Sequence, residues 1–369
     1  MNEVRVFYSK YNGSQDHDFI LRLKEVANNV VHIPKVLYFW RSHPNSVASN
    51  IDAKQYAVEA GHNVVRDHLN RLNIKAEVVS SNISPSIYRI KYNIVKASKV
   101  SIIIPNKNHL EDIKKCINSI LCLTTYSNYD IIIIDNNSDD EQLFAYYDEI
   151  KKNDIINVYS LNYEFNYSKI NNFAISKSNS DYYIFLNNDT EVITPNWIEE
   201  MMMYAQRSDV GAVGAMLYYP DDTIQHAGVI LGRGGIAGHA YLKKQKGYAG
   251  YFGNLHYARN VTAVTAACMM VKASVFDEVD GFDEKFAVAF NDVDLCMKIR
   301  KAGYLIVWTP YAELYHYESK SRGYEDTPEK KRRFESEIRR FQDLWDKELK
   351  EGDPYYNPNL SLSDTYKLK

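Results

Sequence analysis

The sequence predicts an α/β fold: a mostly parallel central sheet with helices on both faces. Three observations carry this. Short apolar runs rich in branched and aromatic side chains recur at 100–104, 130–134 and 182–186, the composition of strands buried on both faces. Between them apolar residues return at helical spacing, so strands and helices alternate. Each run also gives way to polar residues: Pro105 to Asn108, Asp135 to Ser138, and Asn187 to Asp189. Polar groups thus collect at the carboxyl ends of parallel strands, where open α/β sheets bind ligands.

Taken in order, residues 1–50 resemble a later part of the same chain. Asp16 and Asp18 match Asp292 and Asp294 at one constant offset, Pro34 and Pro310 share it, and Leu37-Tyr-Phe-Trp40 falls beside Leu314-Tyr-His-Tyr317. Shared order and spacing indicate an internal repeat, so 1–50 are expected to be a partial copy of the rear of a domain, with a helix opening at Asp16 to Asp18 and a strand toward Trp40. Phe19, Ile20, Leu23, Val36, Leu37 and Trp40 would then need cover. Residues 51–97 are expected to be a helix followed by a Ser-, Asn- and Pro-containing linker. The main domain is expected at 98–325.

Within that domain the strand at 100–104 leads to a helix through Leu110, Ile113, Ile117, Ile120 and Leu121, with Glu111 and Asp112 near its start, where the dipole favours anions. The run at 130–134, a helix over 141–151, a strand near 157–161 and a helix over 167–176 complete the alternation. The second half is less regular. Gln225-His-Ala-Gly228 and the glycine-rich 232–238, ending at His239, predict a loop near a ligand. The apolar run 261–271 predicts a buried strand, Asp283 a helix cap, 294–302 a helix, and 304–308 a last strand before Pro310. Residues 326–369 form an expected amphipathic helix and tail: Phe334, Ile338, Phe341, Trp345 and Leu349 share one face, with six basic residues around them.

Composition excludes several classes. The net charge is −3 and the pI near 6.4, which leaves no extended basic footprint for nucleic acid. The four cysteines form no CxxC pair and read as small buried apolar groups in a reducing compartment. No apolar run is long enough to span a bilayer. A soluble, cytoplasmic protein is expected. For the basic C-terminal helix two readings stay open: contact with anionic lipid at the inner face of the membrane, or a solvated face over a packed one.

Val100-Ser-Ile-Ile-Ile-Pro, Ile-Ile-Asp135-Asn-Asn-Ser, Phe-Leu-Asn-Asn-Asp189-Thr-Glu and Asn-Asp292-Val-Asp-Leu, in this order, resemble the family 2 glycosyltransferases of GT-A fold, bacterial surface-polysaccharide type. The resemblance implies inverting transfer from a UDP- or dTDP-sugar to a saccharide or lipid-linked acceptor, assisted by Mg²⁺ or Mn²⁺. It makes Asp292 the catalytic base and Asp189 and His316 the metal ligands. It assigns nucleotide contacts to Pro105, Asn108, Asp135, Asn136, Asn172, Asn187 and Asn188, and sugar or acceptor contacts to His226, Asn291 and Asp294. Two departures stand out: Asn187 replaces the first acid of the metal motif, and Asn291 the acid often found before the base. The alternative is a catalytically idle module that binds sugar or scaffolds a partner, against which the retention of Asp189 and Asp292 argues. A nucleotidyltransferase would need a glycine-rich triphosphate loop, and Asn106-Lys-Asn-His109 is not one.

Overall fold

The computed structural model describes residues 7–39, 55–81, 86–318, 327–364 and 366–369. It divides into two compact units, Met1–Asn93 and Ile94–Lys369.

In the first unit α1 (Gln15–Val26) opens with Asp16 and Asp18 in its first turn, and α2 (Gln55–Arg71) follows. The stretch expected as a linker instead carries a hairpin, β1 (Ala76–Ser80) antiparallel to β2 (Tyr88–Tyr92). Its alternating side chains supply the reason: Val78 packs with Val65 and Leu69 of α2, and Tyr88, Ile90 and Tyr92 close over them. The strand expected toward Trp40 is absent among the described residues, which stop at Phe39, and Trp40 lies outside them. Ile20, Leu23, Val36 and Leu37 are exposed rather than covered.

The second unit begins with the expected alternation: β3 (Val100–Asn106), α3 (Leu110–Leu123), β4 (Tyr129–Asp135), α4 (Glu141–Ile150), β5 (Ile156–Ser160), α5 (Tyr167–Ile175) and β6 (Tyr182–Leu186). Then come β7 (Thr190–Val192), α6 (Trp197–Ala205), β8 (Val210–Tyr218), β9 (Ile224–His226), β10 (Val229–Leu231), β11 (Ala237–His239), β12 (Arg259–Val261), β13 (Cys268–Lys272), α7 (Ala273–Glu278), α8 (Asn291–Lys301), β14 (Leu305–His316), α9 (Pro328–Leu344) and α10 (Asp346–Glu351).

The main sheet runs β12-β14-β8-β13-β6-β3-β4-β5. Six of these eight strands point the same way; β13 and β12 oppose them. Both faces are covered. Ile103, Ile132, Ile134 and Phe185 pack into one core with α5, α7 and α8, while Ile102, Ile104, Ile131 and Ile133, which alternate to the other face, are just as buried.

Four expectations change. The run 261–271 falls in two strands, β12 and β13, separated by a loop, because the two pair with different partners, β14 and β6. Asp283 caps no helix; its carboxylate accepts from the Lys285 backbone N–H at 3.0 Å and pairs with Arg340. The last strand does not stop at Pro310: β14 continues to His316, and its pairing with β8 shifts register between Trp308 and Glu313. That irregularity is where a residue without an N–H can sit in a strand. Cys122 is exposed, although the other three cysteines are buried as expected.

Candidate active site

Because β3, β4, β6, β8 and β14 run parallel, their carboxyl ends share one edge, and a cavity of about 700 Å³ opens there. Pro105 to His109 come from the end of β3, Asn136 from β4, Asn187 to Asp189 from β6, Tyr219 from β8, and His316 and Glu318 from β14. The loop before β13 adds Thr265 to Ala267, and the start of α8 adds Asn291 and Asp292.

Asp189 and His316 meet at one point of this cavity: Asp189 Oδ1 lies 3.2 Å from His316 Nε2. The tautomer of His316 follows from its partners. Gln225 Nε2 donates to Glu318 Oε2 at 3.0 Å, which leaves Gln225 Oε1 facing His316 Nδ1 at 2.6 Å. Nδ1 therefore carries a proton, and Nε2 faces the Asp189 carboxylate. Asn187 Nδ2 lies 3.1 Å from the same nitrogen. A carboxylate oxygen and an imidazole nitrogen side by side can supply two of the six ligands of an octahedral cation. Among the described residues no group of three or more His, Cys, Asp or Glu converges as a metal cage. Two protein ligands with the rest from water and phosphate suit Mg²⁺ or Mn²⁺, so the residues fit such an ion. The Gln225–Glu318 pair fixes the ring of His316, the kind of outer support that a ligating histidine would need.

Asp292 lies in the first turn of α8, after Phe290 in left-handed conformation (φ 61°). Its Oδ2 accepts from the Ala266 N–H at 3.1 Å and its Oδ1 from the Val293 N–H at 2.8 Å. The carboxylate is held by backbone and half-buried, with an edge on the cavity. Asn291 is buried and anchors the turn by donating to the Val288 carbonyl at 2.8 Å.

The asparagines of the wall form a scaffold. Asn188 Nδ2 donates to Asn106 Oδ1 at 2.6 Å, and Asn106 Nδ2 to Tyr147 Oη at 2.7 Å. Asn108 and Asp139 bond reciprocally, at 2.8 and 3.0 Å. Asn136 Nδ2 donates to the Leu161 and Tyr163 carbonyls at 3.0 and 2.8 Å.

Four of the expected residues lie outside the cavity wall. Asp135 is buried beneath Asn136 and accepts from Tyr147 Oη and the Ser138 N–H, both at 3.3 Å. Asn172 clamps a turn, donating to the Phe282 carbonyl at 3.0 Å and accepting from its N–H at 3.1 Å. His226 is fully buried behind Gln225, since neighbours on a strand face opposite ways. Asp294 is buried on the far side of α8, accepts from Trp345 Nε1 at 2.9 Å, and has its pKa raised above the ordinary carboxyl value chiefly by burial.

The structure adds Gln225, Glu318, His239, Lys330 and Arg333 to the wall. Lys330 and Arg333 stand one turn apart in α9, and that spacing was the available signal. Several basic residues of α9 pair with carboxylates: Arg332 with Glu329, Arg333 with Glu337, Arg339 with Glu335, and Arg340 with Asp283. Among the described residues no helix is long and apolar enough to cross a membrane.

Comparison with known proteins agrees with this geometry. The family model "Glycosyl transferase family 2" matches residues 101–280. An uncharacterized protein of Sinorhizobium fredii is 44% identical over 366 residues, covering 98% of this chain and 40% of that protein. The O-antigen biosynthesis protein RfbC of Myxococcus xanthus is 35% identical over 363 residues, 96% of this chain and 27% of its own length. The chain therefore spans well under half the length of these two relatives. Among solved structures, GalNAc-T7 with UDP, GalNAc and Mn²⁺ superposes with a TM-score of 0.55 at 15% identity, covering 69% of this chain and 50% of that one. At that identity the likeness speaks for the fold alone. Residues 101–280 thus match the glycosyl transferase family 2 model, and the fold is GT-A-like.

Proposed function

We propose that this chain transfers a sugar, with inversion, from a nucleotide-sugar donor of the UDP or dTDP type to a saccharide or lipid-linked acceptor in the synthesis of a cell-envelope polysaccharide. The observation that carries it is the convergence of Asp189, His316 and Asp292 on one cavity at the carboxyl edge of the sheet. The GT-A-like fold and the family match support it, as does the similarity to an O-antigen biosynthesis protein.

Asp189 and His316 would hold the divalent ion, which when bound neutralises charge on the departing diphosphate. Asp292 takes the proton of the acceptor hydroxyl as that oxygen bonds to the anomeric carbon. The bond from the anomeric carbon to the phosphate oxygen breaks, and its electron pair leaves with the nucleoside diphosphate. Attack opposite the leaving group inverts the centre. Asn106, Asn108, Asn136 and Asn188 shape the nucleotide end of the cavity, and Lys330 and Arg333 add positive charge to its rim.

The test is a nucleotide-release screen over UDP-, dTDP- and GDP-sugars, with Mg²⁺ or Mn²⁺ and then with EDTA. Release that needs the ion and disappears in Asp189→Ala is expected. Equal nucleotide affinity with and without EDTA would remove the metal role, and no release from any donor would remove the transferase reading.

A further inference from the structure

Behind Gln225 lies a pair of histidines that the mechanism above does not use. His226 is fully buried, and its Nε2 lies 3.3 Å from the Gly228 N–H and 3.4 Å from the Thr265 N–H. A backbone N–H only donates, so Nε2 must offer a lone pair, and an imidazolium has none to offer. The single proton of His226 therefore sits on Nδ1. That atom is 2.8 Å from Nδ1 of His239, with the two rings at 85°. Only one hydrogen fits between them, so His239 accepts there and carries its own proton on Nε2.

The backbone is built to hold this pair. Gly228 has φ 86°, and a Cβ on it would stand 2.8 Å from Val261 Cγ1. The close approach that lets its N–H reach His226 thus needs glycine. Arg233 donates from Nη1 to the His239 carbonyl and fixes the end of β11.

We infer that His239 is a positioning residue: a neutral Nε2–H donor to a hydroxyl oxygen of the bound sugar or acceptor beside Asp292, held in that tautomer by His226. His239 is part of the cavity wall with Thr265 and Asp292. Among the described residues no acceptor bonds its Nε2. The charged groups around it oppose one another: Asp292 and Glu318 favour a second proton, while His316 and Arg233 disfavour it. Burial is the largest influence on both histidines and lowers both from the ordinary imidazole range, in keeping with a neutral pair. With Nε2 already protonated and Nδ1 occupied, His239 cannot serve as the base, which leaves that role to Asp292.

The inference rests on the transferase reading for its substrate, so the test has two arms. In the first, ¹⁵N NMR of histidine-labelled protein should show His239 with unprotonated Nδ1 and protonated Nε2 at neutral pH, and His226 the reverse. An imidazolium, or an Nδ1–H form of His239, overturns the relay whatever the protein catalyses. In the second, the nucleotide sugar found in the release screen is titrated against variants. His239→Leu should raise KM about tenfold with kcat within a few-fold of wild type, as for loss of an interaction made equally in ground and transition states. His239→Gln, which can place an amide N–H near the Nε2 position, should recover most of the loss. His226→Leu should fall between, with His239 in mixed tautomers. An effect in donor hydrolysis without acceptor assigns the oxygen to the donor sugar; an effect in transfer only assigns it to the acceptor. Unchanged KM in both for His239→Leu overturns the assignment. If no donor is turned over, the transferase reading falls, and the NMR arm alone still decides the relay.

Discussion

Asp292 and Gln225 show how much of the site is decided by single hydrogen bonds. Asp292→Asn keeps the shape and one of the two backbone contacts but cannot take a proton. Turnover should fall by roughly 10²–10⁴ with donor affinity retained in calorimetry. Gln225→Leu should free the ring of His316 and lower metal-dependent nucleotide affinity by about 10–100-fold, the usual cost of losing a ligand's outer support; unchanged affinity would show that Asp189 alone suffices. The histidine pair also has a pH signature. Burial lowers His226 and His239 below the ordinary value of 6.5, so the unfolded chain binds more protons. Stability is then full above pH 6.5 and declines as pH falls below it, by up to about 1.4 kcal/mol per unit for each group. Asp294, raised by burial, acts in the opposite sense and from a lower pH, near its ordinary 3.8. Urea melts from pH 7.5 to 5 should show the decline, and His226→Phe should flatten it.

At the scale of elements, α9 is the part whose role the sequence left open. Its buried Glu337 accepts from the Val288 and Ala289 N–H groups at 2.9 and 3.1 Å, immediately before α8 and Asp292. Trp345, at its end, reaches Asp294 on the same helix. The C-terminal helix therefore holds the segment that carries Asp292, besides lending Lys330 and Arg333 to the cavity. Glu337→Leu leaves two half-buried N–H donors without this partner and should cost about 1–3 kcal/mol in all. A lower urea midpoint together with weakened turnover is expected. A stability loss with full activity would show that the turn before α8 keeps its shape without the clamp.

For the whole molecule, the second unit contains its own core and every residue placed at the cavity. A chain beginning at Ile94 should therefore fold and keep nucleotide release within a few-fold of the full chain. Loss of release by that shorter chain, at unchanged thermal stability, would make the first unit part of the function. The internal repeat, by contrast, stays a sequence observation. The helix at Gln15–Val26 opens on the two acids, but residues 27–39 carry no strand.

The order of strands and helices over 100–186 was legible because fully buried parallel strands are written as unbroken apolar runs, and their polar ends fall on one edge by topology alone. Asp189, His316 and Asp292 could be named from that edge and from the motif resemblance. What the sequence did not determine is which side of a strand, or which end of a distant helix, meets the cavity. Gln225 faces it and His226 does not, Asn136 lines it and Asp135 is buried, and these pairs differ by one residue, half a strand period. Glu337, Lys330 and Arg333 arrive from a helix far along the chain, and only long-range packing sets its position. Local periodicity is a property of neighbours in sequence; which polar group is left facing solvent, substrate or another buried side chain depends on contacts that only the closed tertiary structure makes.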